Sequence, residues 1–150
     1  MKKKKVLFIL LALFLLAPVS QAQTTVEQLF KDVSKAKGIE HVNLGTLTMT
    51  FAGLFQDTMG VDGVEVLSLT ACEEAFKSKF NDAVRSLKDK AYETMLTSNE
   101  EGERVKILVK LQDEMIRELV VVSSGNSPAL IRIKGKIKPS DIERVIEKNK

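Results

Sequence analysis

In the C-terminal half of the chain, apolar and polar residues alternate, as they do in strands that bury one face. The segments "RVKILVKL" (104–111), "MIRELVVVSS" (115–124) and "ALIRIKGKI" (129–137) are separated by the polar turns "QDE" and "GNSP". This spacing predicts antiparallel hairpins joined in a meander. The alternation is lost from Leu119 to Val122, which predicts a central strand covered on both faces at that point. The polar "SNEEGE" before the meander is predicted as a loop.

Helical periodicity dominates three other segments, in which apolar residues recur three or four positions apart. They are "TTVEQLFKDVSKAKG" (24–38), "CEEAFKSKFNDAVRSLKDK" (72–90) and "PSDIERVIEKNK" (139–150). Thr24 and Glu27 have the spacing of a capping box at the start of the first helix.

The remaining segments predict two short strands and one ambiguous element. "IEHVNL" (39–44) and "VEVLSL" (64–69) have the composition of strands. Thr46–Thr58 fits both a strand and a helix, and a helix is favoured because the helical match is longer. The order of elements predicts an α+β fold, with a single antiparallel sheet, a C-terminal meander and helices packed mainly on one face.

The N-terminus has the features of a secretory signal peptide. Lys2 to Lys5 form a positive region, Val6 to Ala17 is an unbroken apolar run, and small residues follow. Residues 1–22 are therefore predicted as a leader cleaved between Ala22 and Gln23. The predicted mature product is one domain, 23–150, that is periplasmic or secreted and has no transmembrane segment after cleavage. An uncleaved N-terminal anchor is the alternative.

Removal of the leader changes the charge of the protein. The chain has 23 Lys and Arg against 20 Asp and Glu, and four of the bases lie in the leader. The mature part therefore has 19 bases against 20 acids, a net charge of −1. This balance argues against nucleic-acid binding, which requires a basic domain.

Basic residues are nevertheless concentrated on two of the predicted strands. Arg132, Lys134 and Lys136 alternate with apolar residues, and Arg104, Lys106 and Lys110 do the same one hairpin away. If the strand registers match, both sets lie on one face, where acids are expected to be sparse and Glu118 is the obvious partner. The predicted ligand-binding set is Lys106, Lys110, Arg132, Lys134 and Lys136. The alternative is a face that is simply solvated.

The sequence contains no catalytic constellation. His41 is the single histidine and Cys72 the single cysteine, so neither a His-rich nor a Cys-rich metal site can form. No glycine-rich phosphate loop and no nucleophile motif is present. We therefore expect a protein that is not an enzyme and that holds no cofactor and no metal.

Four segments occur in order along the chain, namely "VEQLF", "EGERVKILVK", "ELVVVSSGN" and "LIRIKGKI…DIERV". Together they resemble a family of small exported proteins, domain of unknown function 4252, seen mainly in bacteria of the Bacteroides group. The resemblance is strongest from Arg104 to Val145 and covers essentially the mature chain. It implies an envelope location without an established activity, and it supplies no catalytic residues. Some similar proteins look like lipoproteins, but the cysteine required for lipid attachment is missing here.

These observations favour a non-enzymatic binding or interaction domain whose basic face takes a protein or an anionic glycan or lipid of the envelope. One alternative is a periplasmic carrier of a small apolar ligand or lipid, held between the sheet and the helix with Phe76 and Phe80. A second is an accessory component of an envelope stress system. The identity of the partner and the oligomeric state stay open.

Overall fold

The computed structural model describes residues 24–41 and 60–148 of the 150-residue chain. The predicted leader and the ambiguous Thr46–Thr58 segment lie outside the described residues. The elements, in chain order, are α1 (Val26–Ser34), β1 (Glu40–His41), β2 (Val61–Ser68), α2 (Glu74–Arg85), β3 (Glu93–Glu100), β4 (Glu103–Gln112), β5 (Met115–Ser124), β6 (Ala129–Ile137) and α3 (Pro139–Lys148). No helix within the described ranges is long and apolar enough to cross a membrane.

The described strands form one sheet in the order β1-β2-β6-β5-β4-β3, with every neighbouring pair antiparallel. Strands β3 to β6 are consecutive neighbours, so the predicted C-terminal meander is confirmed. Strand β5 lies in the interior of the sheet, and its residues from Leu119 to Val122 are all buried. The lost alternation in this stretch therefore marks a strand that is buried on both faces.

The two faces of the sheet carry separate apolar clusters. On the first face, Leu67, Leu108, Val120, Val122 and Leu130 pack with the buried residues of α1 and α2. On the second face, a cluster rich in isoleucine and valine includes Ile142 of α3. Two described helices therefore lie on the first face and one on the second, which confirms the α+β class with helices mainly on one face.

The meander contains two tight turns with left-handed backbone conformations. Glu101 and Gly102 have φ angles of 50° and 81°, and Asp113 and Glu114 have φ angles of 54° and 63°. Two consecutive residues with positive φ match the right-handed twist of hairpin strands. The prediction that "SNEEGE" forms a loop is right only for its centre, because Glu101 and Gly102 form the turn, whereas β3 continues to Glu100 and β4 begins at Glu103. The polar residues of β3 reflect the exposure of an outer strand.

The first helix begins one residue later than the capping-box spacing predicts. The hydroxyl of Thr25 accepts a hydrogen bond from the Gln28 amide, which makes Thr25 the N-cap. Thr24 instead pairs with the chain after α2, where its carbonyl accepts a hydrogen bond of 3.1 Å from the Lys88 amide. This contact joins the start of α1 to the end of α2.

Two glycines allow the start of β2 and the C-terminal end of β6 to approach each other closely. A Cβ atom on Gly135 would collide with the carbonyl oxygen of Gly60, and one on Gly60 would collide with the carbonyl of Lys136. Gly60 also has a φ angle of 76°, which glycine adopts without strain. The β2–β6 register shifts beside Gly135, where Val61 is opposite this glycine.

Candidate anion-binding site

The strand registers place the predicted basic residues on one face of the sheet. Lys106 is opposite Val122, Arg132 is opposite Val120, and both valines belong to the cluster under α1 and α2. Lys110 and Lys134 flank Glu118 on its two neighbouring strands. Lys136 follows Lys134 by two positions, so its side chain lies on the same face.

This first face is more basic than the chain as a whole. Its strand residues include six bases, namely Arg104, Lys106, Lys110, Arg132, Lys134 and Lys136, and two acids, Glu65 and Glu118. The net charge of these strand residues is +4, whereas the predicted mature chain carries −1. The asymmetry is a property of the tertiary arrangement.

Arg132 differs from the other bases because it is bound within the protein. Its guanidinium is 2.7 Å from a carboxylate oxygen of Glu27, 3.3 Å from one of Glu65 and 3.4 Å from one of Glu118. The ring of Phe30 lies 3.9 Å from the guanidinium carbon, in cation–π contact. Arg132 is therefore a structural centre that ties α1, β2, β5 and β6 together.

The expectation that acids are sparse on this face is wrong around Arg132. Glu118 is its partner as expected, but Glu65 of β2 and Glu27 of α1 also form ion pairs with Arg132. Both elements lie far from β6 in the sequence, so only their packing reveals the contacts. With three carboxylates on one guanidinium, an anionic ligand would meet repulsion at this position.

Glu118 connects the arginine cluster to Tyr92. Burial raises the pKa of Tyr92 well above its usual range, and the interaction of its hydroxyl with the negatively charged Glu118 carboxylate raises it further. On the same ring, the ammonium nitrogen of Lys110 lies 5.8 Å from the centroid, within cation–π range. Tyr92 thus holds Lys110 near the end of α2.

A depression of about 420 Å³ opens beside Tyr92, between the chain that follows α2 and the strands β3 and β4. We call it the basic depression. Its lining residues are Leu87, Lys88, Asp89, Lys90, Tyr92, Thr94, Lys106 and Leu108. Three lysines line it directly, and Lys110 borders it through the tyrosine ring.

The single acid of the basic depression is engaged by the backbone. One carboxylate oxygen of Asp89 accepts from the Val26 amide at 3.2 Å, and the other accepts from the Ala91 amide at 3.0 Å. In the part of the chain that the structure describes, Lys88, Lys90, Lys106 and Lys110 form no ion pair with a carboxylate. The depression therefore presents ammonium groups over an apolar floor of Leu87 and Leu108.

Sequence reasoning missed Lys88 and Lys90. They follow α2 in "SLKDK", which the periodicity assigned to a longer helix, whereas α2 ends at Arg85. The sequence signal that could have indicated them is their closeness to Tyr92. A turn that carries lysines just before a strand places their positive charge at the end of that strand. Lys134 and Lys136 are exposed near the C-terminal end of β6, and they do not line the basic depression.

Phe76 and Phe80, which were expected to border an apolar ligand, pack within the apolar cluster of the first face. Phe80 is 2% exposed and packs with Val84 and Leu87, while Phe76 packs against the same cluster. Cys72 is also buried there, and burial raises the pKa of its thiol. Within residues 24–41 and 60–148, no group of three potential His, Cys, Asp or Glu metal ligands is found.

A family model described as "Domain of unknown function (DUF4252)" matches residues 30–145. The chain belongs to this family. The match confirms the resemblance drawn from the sequence, and it spans most of the chain. No curated protein and no solved structure matches it.

The DUF4252 match includes every lysine of the basic depression, together with Arg132, Glu65 and Glu118. Glu27, which supplies the shortest ion pair of Arg132, precedes the matched segment. The candidate site is therefore built largely from the part of the chain that defines the DUF4252 family.

Proposed function

We propose that this protein is an exported, non-enzymatic binding protein that recognises an anionic group of a cell-envelope partner at the basic depression. The observation that supports this most directly is the convergence of Lys88, Lys90, Lys106 and Lys110 around Tyr92. A depression of a few hundred Å³ suits a phosphate or carboxylate group with its immediate neighbours. The leader-like N-terminus supports an envelope partner.

Under this proposal, the bases predicted from the sequence have different roles. Lys106 and Lys110 belong to the binding site, and Lys134 and Lys136 extend the positive potential that attracts an anion to the face. Arg132 supports the scaffold, because its charge is already shared among three carboxylates. A variant that removes all five bases would therefore test folding as well as binding.

Coulomb's law sets the scale of the interaction. One ammonium about 6 Å from a single negative charge contributes about 0.7 kcal/mol at the dielectric constant of water and about 3 kcal/mol at an effective value of 20. Several exposed lysines can therefore supply micromolar affinity only at modest salt, since the Debye length is about 8 Å at 0.15 M. The proposal predicts binding that weakens as salt increases.

The binding test uses tripolyphosphate as the probe and calorimetry at 50 and 300 mM NaCl. In the test variant, Lys88, Lys90, Lys106 and Lys110 are all replaced with Gln. We expect its affinity to fall at least tenfold, together with most of the salt dependence. The matched variant removes the same charge from exposed positions outside the depression, namely Lys35, Lys37, Lys79 and Lys148.

Wild-type affinity is expected in the matched variant. An equal loss in both variants would show that net charge alone governs binding, and retention of affinity in the test variant would place binding elsewhere; either result contradicts the proposal. Export is tested separately by sequencing the N-terminus of protein from the periplasmic fraction. A start at Gln23 is expected, and an intact leader on protein confined to the cytosol would contradict it.

A further inference from the structure

Strand β3 ends the sheet, and no described strand pairs with its outer side. It has eight residues, and neither lysine nor proline occurs within it. Natural sheet edges are commonly protected by lysine, proline or a short strand, because unpaired amides and carbonyls can take up another chain. The register shift between Thr94 and Leu96 is the only irregularity along this edge.

The side chains of β3 on the first face are short and uncharged. Thr94 is opposite Leu108, Thr97 is opposite Lys106, and Asn99 is opposite Arg104, and all three β3 residues are exposed. We call these three short side chains the low row. The longer basic side chains of β4 lie behind it. A strand added outside β3 would lie about 10 Å from β4, two strand spacings away. The bases of β4 can lean across the row towards it.

The basic depression lies at the same edge. Thr94 and Tyr92 belong to its lining, and Lys106 borders both the depression and the row. An extended chain along β3 would therefore meet Lys88, Lys90 and Lys106 with the side chains that it directs to the first face. Every second side chain of a strand points to that face.

We propose that the partner is an extended acidic peptide segment that adds to β3 as a further strand, with alternate Asp or Glu side chains over the β4 bases. Strand addition supplies main-chain hydrogen bonds for affinity, and the alternating side chains supply specificity. This inference rests on the proposed function and names the class of anion that the basic depression takes.

The charge pattern disfavours a second copy of this chain as the occupant. If β3 paired with itself in antiparallel fashion about its centre, Glu93 of each copy would face Glu100 of the other. Like charges directly opposite each other destabilise a strand pair. The β4 bases of the two copies would also face each other across the low rows, whereas an acidic segment neutralises them.

The experiment compares two dye-labelled peptides of sequence Thr-Glu-Val-Glu-Val-Glu-Val-Thr by fluorescence anisotropy. Tripolyphosphate, measured by calorimetry as before, is the third probe. One peptide is unmodified. The other carries N-methyl groups on two adjacent central residues, which removes a donor from each edge of the strand without changing its charge. We expect the methylated peptide to bind at least tenfold more weakly, because it cannot pair along β3.

Two protein variants test whether the bound peptide directs its acidic side chains to the first face of the sheet. Thr97→Glu places a negative charge in the low row, whereas Ser98→Glu places the same charge one residue along, opposite Val105 on the second face. We expect the first to weaken binding of the unmodified peptide about tenfold and the second to change it less than threefold. Circular dichroism checks that both variants keep the fold.

The outcomes separate this inference from the proposed function. Equal binding of both peptides, lost in the four-lysine variant, would overturn strand addition and leave anion recognition intact. Peptide binding that survives in the four-lysine variant would overturn the acidic-peptide inference, and if tripolyphosphate binding survives there as well, the proposed function is overturned too. A concentration-dependent dimer of the protein alone, abolished by Thr97→Glu, would assign the edge to a second copy and overturn the acidic-peptide inference.

Discussion

Replacing Arg132 with Met should destabilise the fold far more than any other single lysine or arginine change on the first face. Met keeps much of the length and apolar volume of the side chain but removes the guanidinium. The substitution leaves Glu27, Glu65 and Glu118 facing one another without their shared partner. It also removes the cation–π contact with Phe30.

The three carboxylates differ in exposure, and this difference determines how much stability Arg132→Met loses. The side chains of Glu27 and Glu65 are 71% and 41% exposed, so water compensates much of their loss. The side chain of Glu118 is only 11% exposed and has little access to water. Breaking a buried ion pair by removing one partner costs about 3–5 kcal/mol. Because two partners are partly solvated, we expect about 3 kcal/mol in total.

The assay is urea denaturation of the 23–150 product at pH 7, followed by circular dichroism. With a slope of about 1.5 kcal/mol/M, a loss of about 3 kcal/mol lowers the midpoint by about 2 M. Lys134→Met is the matched control, because Lys134 is exposed and forms no ion pair with a described carboxylate. We expect the control to stay within about 0.5 kcal/mol of the wild type.

Adding Glu118→Leu to Arg132→Met should recover part of the loss, because the double variant no longer buries an unpaired charge. A change of less than about 0.5 kcal/mol in Arg132→Met would refute the view that Arg132 is a structural centre. It would also return this residue to the list of bases free to bind a ligand.

Two further predictions concern Tyr92 and the glycine contact. Tyr92 is the single tyrosine of a chain without tryptophan, so absorbance at 295 nm should show it ionising well above pH 10, and Glu118→Gln should lower that midpoint. Because the unfolded phenol ionises near pH 10 while the folded one stays protonated, stability should fall as pH rises above about 10; a midpoint near 10 in the folded protein would contradict this. Gly135→Ala should cost about 1–3 kcal/mol in urea unfolding through its collision with Gly60, whereas Gly63→Ala, which meets no atom within 4 Å, should cost less than about 1; equal effects would contradict the packing.

Local patterns were sufficient for the last three strands of the meander, β4 to β6. The period-two alternation predicted β6 with its observed bounds, because burial of one face forces alternate residues to be apolar. Loss of alternation from Leu119 to Val122 likewise predicted a strand buried on both faces, as β5 is. The same reasoning failed for β3, since an exposed outer strand needs no apolar face and so resembles a loop.

The sequence by itself determined that the segments of β4, β5 and β6 become strands and that the bases of each strand share one side of it, because both follow from side-chain periodicity. The strand registers then place the bases of β4 and β6 on the same face of the sheet. Only tertiary packing decided whether each base is paired with carboxylates or left available to bind a ligand. Arg132, Lys134 and Lys136 have the same local pattern, yet Arg132 alone is enclosed by Glu27 from α1 and Glu65 from β2. Electrostatic interactions act through space, so residues that are distant in the chain determine whether a charge is neutralised or left available to bind.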